Sequence, residues 1–334
     1  MTETPPHELR TLRGVPAPVE RALGAALSRG PGYEPTPIGT VFDATSVRGY
    51  YIDFRAKTDA ATAADPAALP PGQLIQLALG WWEHHVHGDE AALGRFLELL
   101  PAIEARGERA ADGLRWPFQV TVAKYGLQPG WCSALCQGQG GSVFVRAHQA
   151  TGEDRYGQLA REALGPLLHD GDNDLVATLP AGPVLQEAPS TPRSHILNGW
   201  MSALWGLWDA SAGLGDERAR EVFEASVDAL VAMLPAYDVG WWSRYGLFPH
   251  PIADLAKPIY HRFHVTQLRV FHRLTGRAAF AETADRWASY DRALPRARAL
   301  AHKAVFAAVD GRRRRRWAAS TSHVRDSQLP RGGS

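Results

Sequence analysis

Four places in this chain share one pattern: an apolar helical run ends near a glycine, and an amphipathic helical run starts at once. The joints are HVHGDEAALGRFLELL at Gly88, QATGEDRYGQLAREAL at Gly152, AGLGDERAREVFEASV at Gly215 and RLTGRAAFAETADRWA at Gly276. Successive joint glycines lie 64, 63 and 61 residues apart. Glycine is favoured where a helix closes on a left-handed residue. Asp or Glu follows it in three of the four joints, where negative charge suits the positive end of the next helix. Two helices and a tight joint, repeated at this period, are a repeat of helical hairpins. Four hairpins side by side curve into an incomplete (α/α) toroid. Their longer connections then gather at one end, where loops can build a site. The expected fold class is mainly α, with small β-hairpins added.

The first helix of each pair is expected to be the inner one. QLIQLALGWWEHHV, WCSALCQGQGGSVFVRAHQA, SHILNGWMSALWGLWDASA and YHRFHVTQLRVFHRL carry small and aromatic residues nearly all round, as enclosed helices do. The second helices mix charged and apolar residues like a surface layer. VFDATSVRGYYIDFRA (41–56) reads as a strand pair turning near Arg48-Gly49, and DLVATLPAGPVLQEA (174–188) as a hairpin turning at Pro180-Ala181-Gly182. Residues 1–17 and 57–71 are rich in Pro and Ala and read as loop. After Asp310, five consecutive arginines and then Ser, Gly and Pro read as a disordered basic tail. The expected organisation is an N-terminal arm over 1–65, a helical domain over 66–310 and a tail over 311–334.

Composition narrows the function class. The chain has 334 residues, 45% hydrophobic and 21% charged, with formal net charge +1, so no whole-chain field draws it to nucleic acid. The arginine run reads as solubilising. No apolar run approaches about 18 residues, so no membrane span is expected. MTETPPHELR lacks a basic start followed by an apolar stretch, so no signal peptide is expected. Cys132 and Cys136 lie one helical turn apart, awkward for a disulfide, and read as free thiols of a reducing, cytoplasmic compartment. Trp81-Trp82 and Trp241-Trp242 are pairs of a kind that stack sugars, although most buried Trp is core. His84, His85 and His87 diverge around a helix end. His261 and His264 share a helix face but have no evident third ligand for zinc. There is no Gly-rich phosphate loop, and neither metal nor organic cofactor is expected.

Three patches resemble the C-terminal domain of the D-glucuronyl C5-epimerase family. PGWCSALCQGQ (129–139) resembles a family segment ending Ser-Ala-Met-Ala-Gln-Gly-Gln. Glu187–Trp208 resembles a stretch running Glu-Tyr-Pro, Leu-Asn-Gly and an aromatic helix. Leu234–Gln267 shares Leu-Pro-x-Tyr-Asp and Tyr-His-x-x-His-x-x-Gln. Together they cover roughly residues 110–290, and Gln73 and Gln76 add a weaker Gln-x-x-Gln match. Animal members carry a β-sandwich that this chain lacks room for, so it resembles a compact, bacterial-type form. Three positions depart from the pattern. Ala188 stands where the family has a tyrosine, Pro70 where another is expected, and Phe248 where a basic residue follows Tyr-x-Leu.

The resemblance implies inversion of C5 in a hexuronic acid of a glycosaminoglycan-like polysaccharide, glycan or conjugate. That chemistry needs a base on one sugar face, a proton donor on the other, and positive charge or donors on the C6 carboxylate that takes up the carbanion. The family pattern implies Glu187 and Tyr260 as the opposed pair, with Tyr245 supporting. Trp131, Gln137, Gln139, Asn198, Arg244, His261 and His264 are candidate substrate contacts, with Arg244 for the carboxylate. Alternatives are a polysaccharide lyase, a glycosidase pairing Glu187 with Asp238 or Asp254, and a non-catalytic glycan-binding toroid. A homodimer stays open.

Overall fold

The computed structural model describes residues 47–61 and 68–327, with side chains described over 47–58 and 68–312. The first hairpin is α2 (Pro71–Val86) and α3 (Glu90–Ala105), preceded by the short α1 (Arg55–Ala61). The second is α4 (Ala134–Thr151) and α5 (Asp154–Leu164), and the third α6 (Leu197–Leu214) and α7 (Glu217–Met233). The fourth is α8 (Pro258–Thr275) and α9 (Ala278–Tyr290), followed by α10 (Ala293–Ser327). All four joint glycines have positive φ, between 63° and 101°. This left-handed backbone costs a side chain energy and glycine none. Asp89 and Asp216 then cap the outgoing helices, accepting the backbone N–H of Ala91 at 3.1 Å and of Ala219 at 2.9 Å.

The inner helices pack in chain order, α2 on α4, α4 on α6 and α6 on α8, each backed by its own outer partner. The chain forms an incomplete (α/α) toroid. The tightest seam is α4 on α6, and small residues explain it. A Cβ on Gly206 would lie 2.6 Å from the Cα of Gly138, and a Cβ on Gly138 equally close to the Cα of Ala203. Only bare backbone lets these helices approach so closely. The aromatics fill the space elsewhere: Trp116, Trp200, Trp205, Trp242 and Trp287 are fully buried.

Two antiparallel hairpins lie between helices. β3 (Val176–Leu179) pairs with β4 (Gly182–Leu185) around Pro180-Ala181, as the sequence indicates. β1 (Glu108–Ala110) pairs with β2 (Gly113–Arg115), a hairpin whose exposed three-residue strand offered no alternating signal. The strand pair expected over 41–56 is not formed in its described part. Residues 47–54 run as irregular chain into α1. Residues 41–46 and 62–67 lie outside the described residues. Val47, Tyr50, Tyr51, Ile52 and Phe54 nevertheless belong to the main core, so this part of the expected arm is built into the helical body. The tail expected to be disordered from 311 continues α10 as helix through Ser327, and 328–334 lie outside the described residues. Cys132 precedes α4 rather than sharing a helix with Cys136, and both are free and buried. Among the described residues no helix is long and apolar enough to cross a membrane.

Candidate active site

Glu187 lies two residues past the end of β4. The strand exit is stitched on both sides: Gln186 N–H bonds Leu175 O at 2.7 Å, and its carbonyl accepts Ala134 N–H at 3.0 Å, fixing it to the start of α4. Beyond it, Ser194 Oγ donates to Ala188 O at 2.7 Å, and Leu247 N–H to Ser194 O at 2.8 Å. His195 has φ 41°, a strained value for a non-glycine residue. It is held there because its carbonyl accepts the Tyr237 hydroxyl at 2.8 Å and its ring meets the Gln186 amide at 3.0 Å. The turn is thus over-determined, and it drops the Glu187 carboxyl onto the first turn of α6. Any Cβ on Gly199 would overlap that carboxyl. Leu-Asn-Gly therefore has a structural meaning: the glycine makes the seat, and Asn198 Nδ2 reaches Glu187 Oε2 at 3.4 Å. Burial pushes the Glu187 pKa up to about 7, opposed by the charge of Lys124. A carboxyl poised there can take and return a proton near neutrality.

The phenols come from the next connection. Tyr245 N–H bonds Asp254 O at 2.6 Å, and Tyr245 O accepts Leu197 N–H at 3.0 Å, which hangs this loop on the start of α6. Tyr260 sits in the first turn of α8, and its ring meets that of Tyr245 edge-on, centroids 5.0 Å apart. Trp131 and Tyr245 pack on one small cluster with Tyr125, Ala188 and Phe248. Trp131 stacks on Phe118 at 4.6 Å and donates Nε1–H to Val120 O at 2.9 Å. Glu187, Asn198, Tyr245, Tyr260 and Trp131 therefore gather at one end of the helical body, where the loops between hairpins meet.

Other candidates do not join them. His261 is fully buried, stacked on Trp242 at 3.8 Å, with Nδ1 against Ser243 Oγ at 2.8 Å and Nε2 against Trp287 O at 2.9 Å. Burial lowers its pKa to about 4. His264 shares Ser243 Oγ at 3.0 Å, and burial, with His261 beside it, lowers its pKa well below the usual value. Both rings pack α8 against Ser243 and against Trp287 of α9. Gln137 spends its amide on Leu114 O at 2.6 Å and Ala163 O at 2.7 Å, and accepts Trp116 N–H at 3.2 Å. It ties α4 to its neighbours. Gln139 accepts from Gln76 at 3.0 Å, deep between α2 and α4. Arg244 adjoins Tyr245 and donates its backbone N–H to Tyr237 O at 2.7 Å; its charge is felt by the buried Tyr237. The Trp pairs are also elsewhere, with Arg95 over Trp81 at 4.8 Å and Arg298 over Trp241 at 3.9 Å.

Three residues at this end, Lys124, Tyr125 and Lys303, escape a sequence reading. The loop 118–131 folds back on itself through Phe118–Trp131 and Val122–Leu127 bridges, with a single 3-10 turn, Ala123–Tyr125, at its tip. That tip carries Lys124 and Tyr125. The Tyr125 phenol has its pKa raised by burial and by the nearby charges of Asp254, Glu187, Asp310 and Tyr260, so it lies among them. Lys124 donates to the Tyr125 hydroxyl at 2.9 Å and pairs with Asp254, which is 2% exposed. Lys303, from α10, pairs with the same carboxylate. Phe248 meets Tyr125 edge-on at 5.4 Å and brings no charge. Asp254 has a sequence signal as a loop carboxylate, and Phe248 as a departure from the family pattern. The lysines come from segments with no motif.

A profile of the D-glucuronyl C5-epimerase C-terminus matches residues 111–289. The chain is 32% identical over 203 residues to a D-glucuronyl C5-epimerase of Caenorhabditis elegans, covering 55% of this chain and 33% of that protein. It is 24% identical over 185 residues to an uncharacterised protein, MJ1128, of Methanocaldococcus jannaschii, covering 52% of this chain and 56% of that one. The chain therefore spans about a third and about half of the length of these two relatives. Among solved structures, a cellobiose 2-epimerase from Spirochaeta thermophila aligns over 64% of this chain and 57% of its own, at 13% identity and TM-score 0.47. The profile covers more than half of the sequence and includes Glu187, Tyr245 and Tyr260, so this chain belongs to the D-glucuronyl C5-epimerase C-terminus family.

Proposed function

We propose that the protein is a uronyl C5-epimerase, inverting C5 of a hexuronic acid in an acidic glycan or conjugate. One observation carries the reading: a half-buried Glu187 carboxyl, its pKa pushed up to about 7, sits at the same end of the toroid as a paired Tyr245 and Tyr260. The Glu187 carboxylate takes the C5 proton, and the electron pair left on C5 spreads into the C6 carboxylate. The Tyr260 hydroxyl then gives a proton to the opposite face of C5, with Tyr245 holding the ring and hydroxyl in place. The Asn198 amide orients Glu187 from α6. A glycosidase needs two carboxyls free to flank one bond. Asp254 is held by two lysines and Asp238 is paired with Arg286, which favours proton transfer over hydrolysis.

The test is hydrogen exchange in D₂O on a glucuronate-containing oligosaccharide. The wild-type chain is expected to place deuterium at C5 without cleaving the sugar chain. Glu187→Gln should slow that exchange by about 10²–10⁴-fold, the usual worth of a positioned proton-transfer group. Tyr260→Phe should still exchange the hydrogen of one epimer but not convert it, because Glu187 alone returns protons to its own face. Unsaturated ends would indicate a lyase and new reducing ends a glycosidase. Neither exchange nor cleavage would indicate a binding protein.

A further inference from the structure

The two lysines beside Tyr245 are more than the Asp254 carboxylate requires. One ammonium would neutralise it, and here Lys124 and Lys303 both pair with it from separate elements. Both ammoniums also sit over the Tyr245 ring, at 5.6 Å and 5.7 Å from its centroid. Each ammonium has three N–H donors. Lys124 uses one on Asp254 and one on the Tyr125 hydroxyl; Lys303 uses one on Asp254 and one on Leu255 O at 2.9 Å. Among the described residues, that leaves one donor on each. Both side chains keep contact with solvent, at 20% and 23% exposure, whereas Asp254 does not. Lys257 adds a third positive charge close to Lys303, and Asp310 a second carboxylate close to Tyr125. Among the described residues, three ammoniums, Lys124, Lys257 and Lys303, thus lie near three carboxyls, Asp254, Asp310 and Glu187.

Lys303 reaches this place only because α10 folds back. Ala299 and Phe306 are buried beneath that helix, and His302 Nε2 meets Ala253 O at 2.8 Å. The helix lies beyond the stretch matched by the family profile, which ends at residue 289. A structural clasp alone would be satisfied by burying one lysine on Asp254. Two ammoniums on partly exposed side chains over a phenol make an anion seat instead.

We propose that Lys303 and Lys124 together grip the C6 carboxylate of the substrate, so that the C-terminal helix selects acidic over neutral sugars. This deepens the uronate reading and rests on it. The carboxylate is bonded to C5, so gripping it above Tyr245 places C5 beside the Tyr245–Tyr260 pair. The same two cations stabilise the extra negative charge that the C6 group gathers when the C5 proton leaves.

Calorimetry on the full chain tests it, with a glucuronate-containing oligosaccharide and the same oligosaccharide after its carboxylates are reduced to alcohols. The wild-type chain should prefer the acidic form. Lys303→Gln should lose about tenfold in affinity for the acidic form and nothing for the reduced form, as expected for one charge-assisted hydrogen bond. Lys303→Arg should keep most of the preference, and Lys124→Gln should reproduce the loss from the other element. A folded Lys303→Gln chain with the wild-type preference overturns the proposal, even if C5 exchange is intact. So does a wild-type chain that binds both forms equally. A wild-type chain that shows the lysine-dependent preference but exchanges no C5 hydrogen upholds the seat and overturns the epimerase reading.

Discussion

Glu187 shows how one residue trades stability for reactivity. Its carboxyl ordinarily titrates near 4.5 and is raised to about 7 in the fold, chiefly by burial. Below pH 4.5 it is protonated in both folded and unfolded chains and contributes no difference. Between 4.5 and 7 the unfolded chain releases the proton while the folded one keeps it, so its contribution falls as pH rises. Above 7 the whole penalty is present. Glu187→Gln, which has no charge to bury, should match wild type in melting temperature at pH 4 and exceed it at pH 8. The gain should be on the order of 1–3 kcal/mol, reduced from the full shift because the group is partly exposed. A thermal-melt series across this range, at constant ionic strength, checks it; a difference that grows toward acid pH refutes the assignment. The residues around Glu187 were legible unevenly. Glu187, Tyr245, Tyr260 and Asn198 lie in motifs that place them together. His261 and His264 have the right type and spacing for a site, yet both Nδ1 atoms go to Ser243 and the Nε2 of His261 goes to Trp287, which no spacing rule reveals.

At the scale of elements, the seam between α4 and α6 sets the geometry of the site. α4 anchors the strand exit before Glu187 through Ala134, and α6 carries the Asn198-Gly199 seat. Gly206 faces Gly138 across that seam, and a methyl group on either would strike backbone, which cannot swing aside. Gly206→Ala should destabilise the protein by about 1–3 kcal/mol through overpacking. It should also weaken C5 exchange by shifting α6 against α4. Denaturant melts read the first effect and D₂O exchange the second; a Gly206→Ala chain of wild-type stability would show that the helices can slide apart freely. The helix pairs themselves were visible in sequence because each inner run is apolar and ends at a left-handed glycine. The β1–β2 hairpin was not, because β1 is exposed throughout and Leu114 alone is buried in β2, too little to impose alternation.

The whole molecule is held to its N-terminal portion by a buried charge. Arg146 on α4 and Asp209 on α6 are both fully buried and bond at 2.6 Å. The Tyr51 hydroxyl donates to the same Asp209 at 2.6 Å, and Arg146 also bonds Gly49 O at 3.1 Å. The irregular chain before α1 is thereby fastened to the central seam. Asp209→Asn would leave the guanidinium buried without its counter-charge, a change that costs about 3–5 kcal/mol in comparable buried pairs. Its denaturation midpoint should fall accordingly, with faster proteolysis near Gly49; an unchanged midpoint would mean that water or another acid reaches Arg146.

The sequence by itself determined the number of hairpins, their joints and the family of the Glu187 and Tyr260 blocks. Those features are local: a glycine that must turn left, an apolar face repeated at helical spacing, and a motif contained in one segment. Tertiary structure alone decided which charges meet. Lys124, Asp254 and Lys303 are 130 and 49 residues apart along the chain, in a loop tip, a connection and the C-terminal helix. Their meeting depends on α10 packing its Ala299 and Phe306 against the body, and the energy of that docking is a sum over nonpolar contacts that no short pattern encodes.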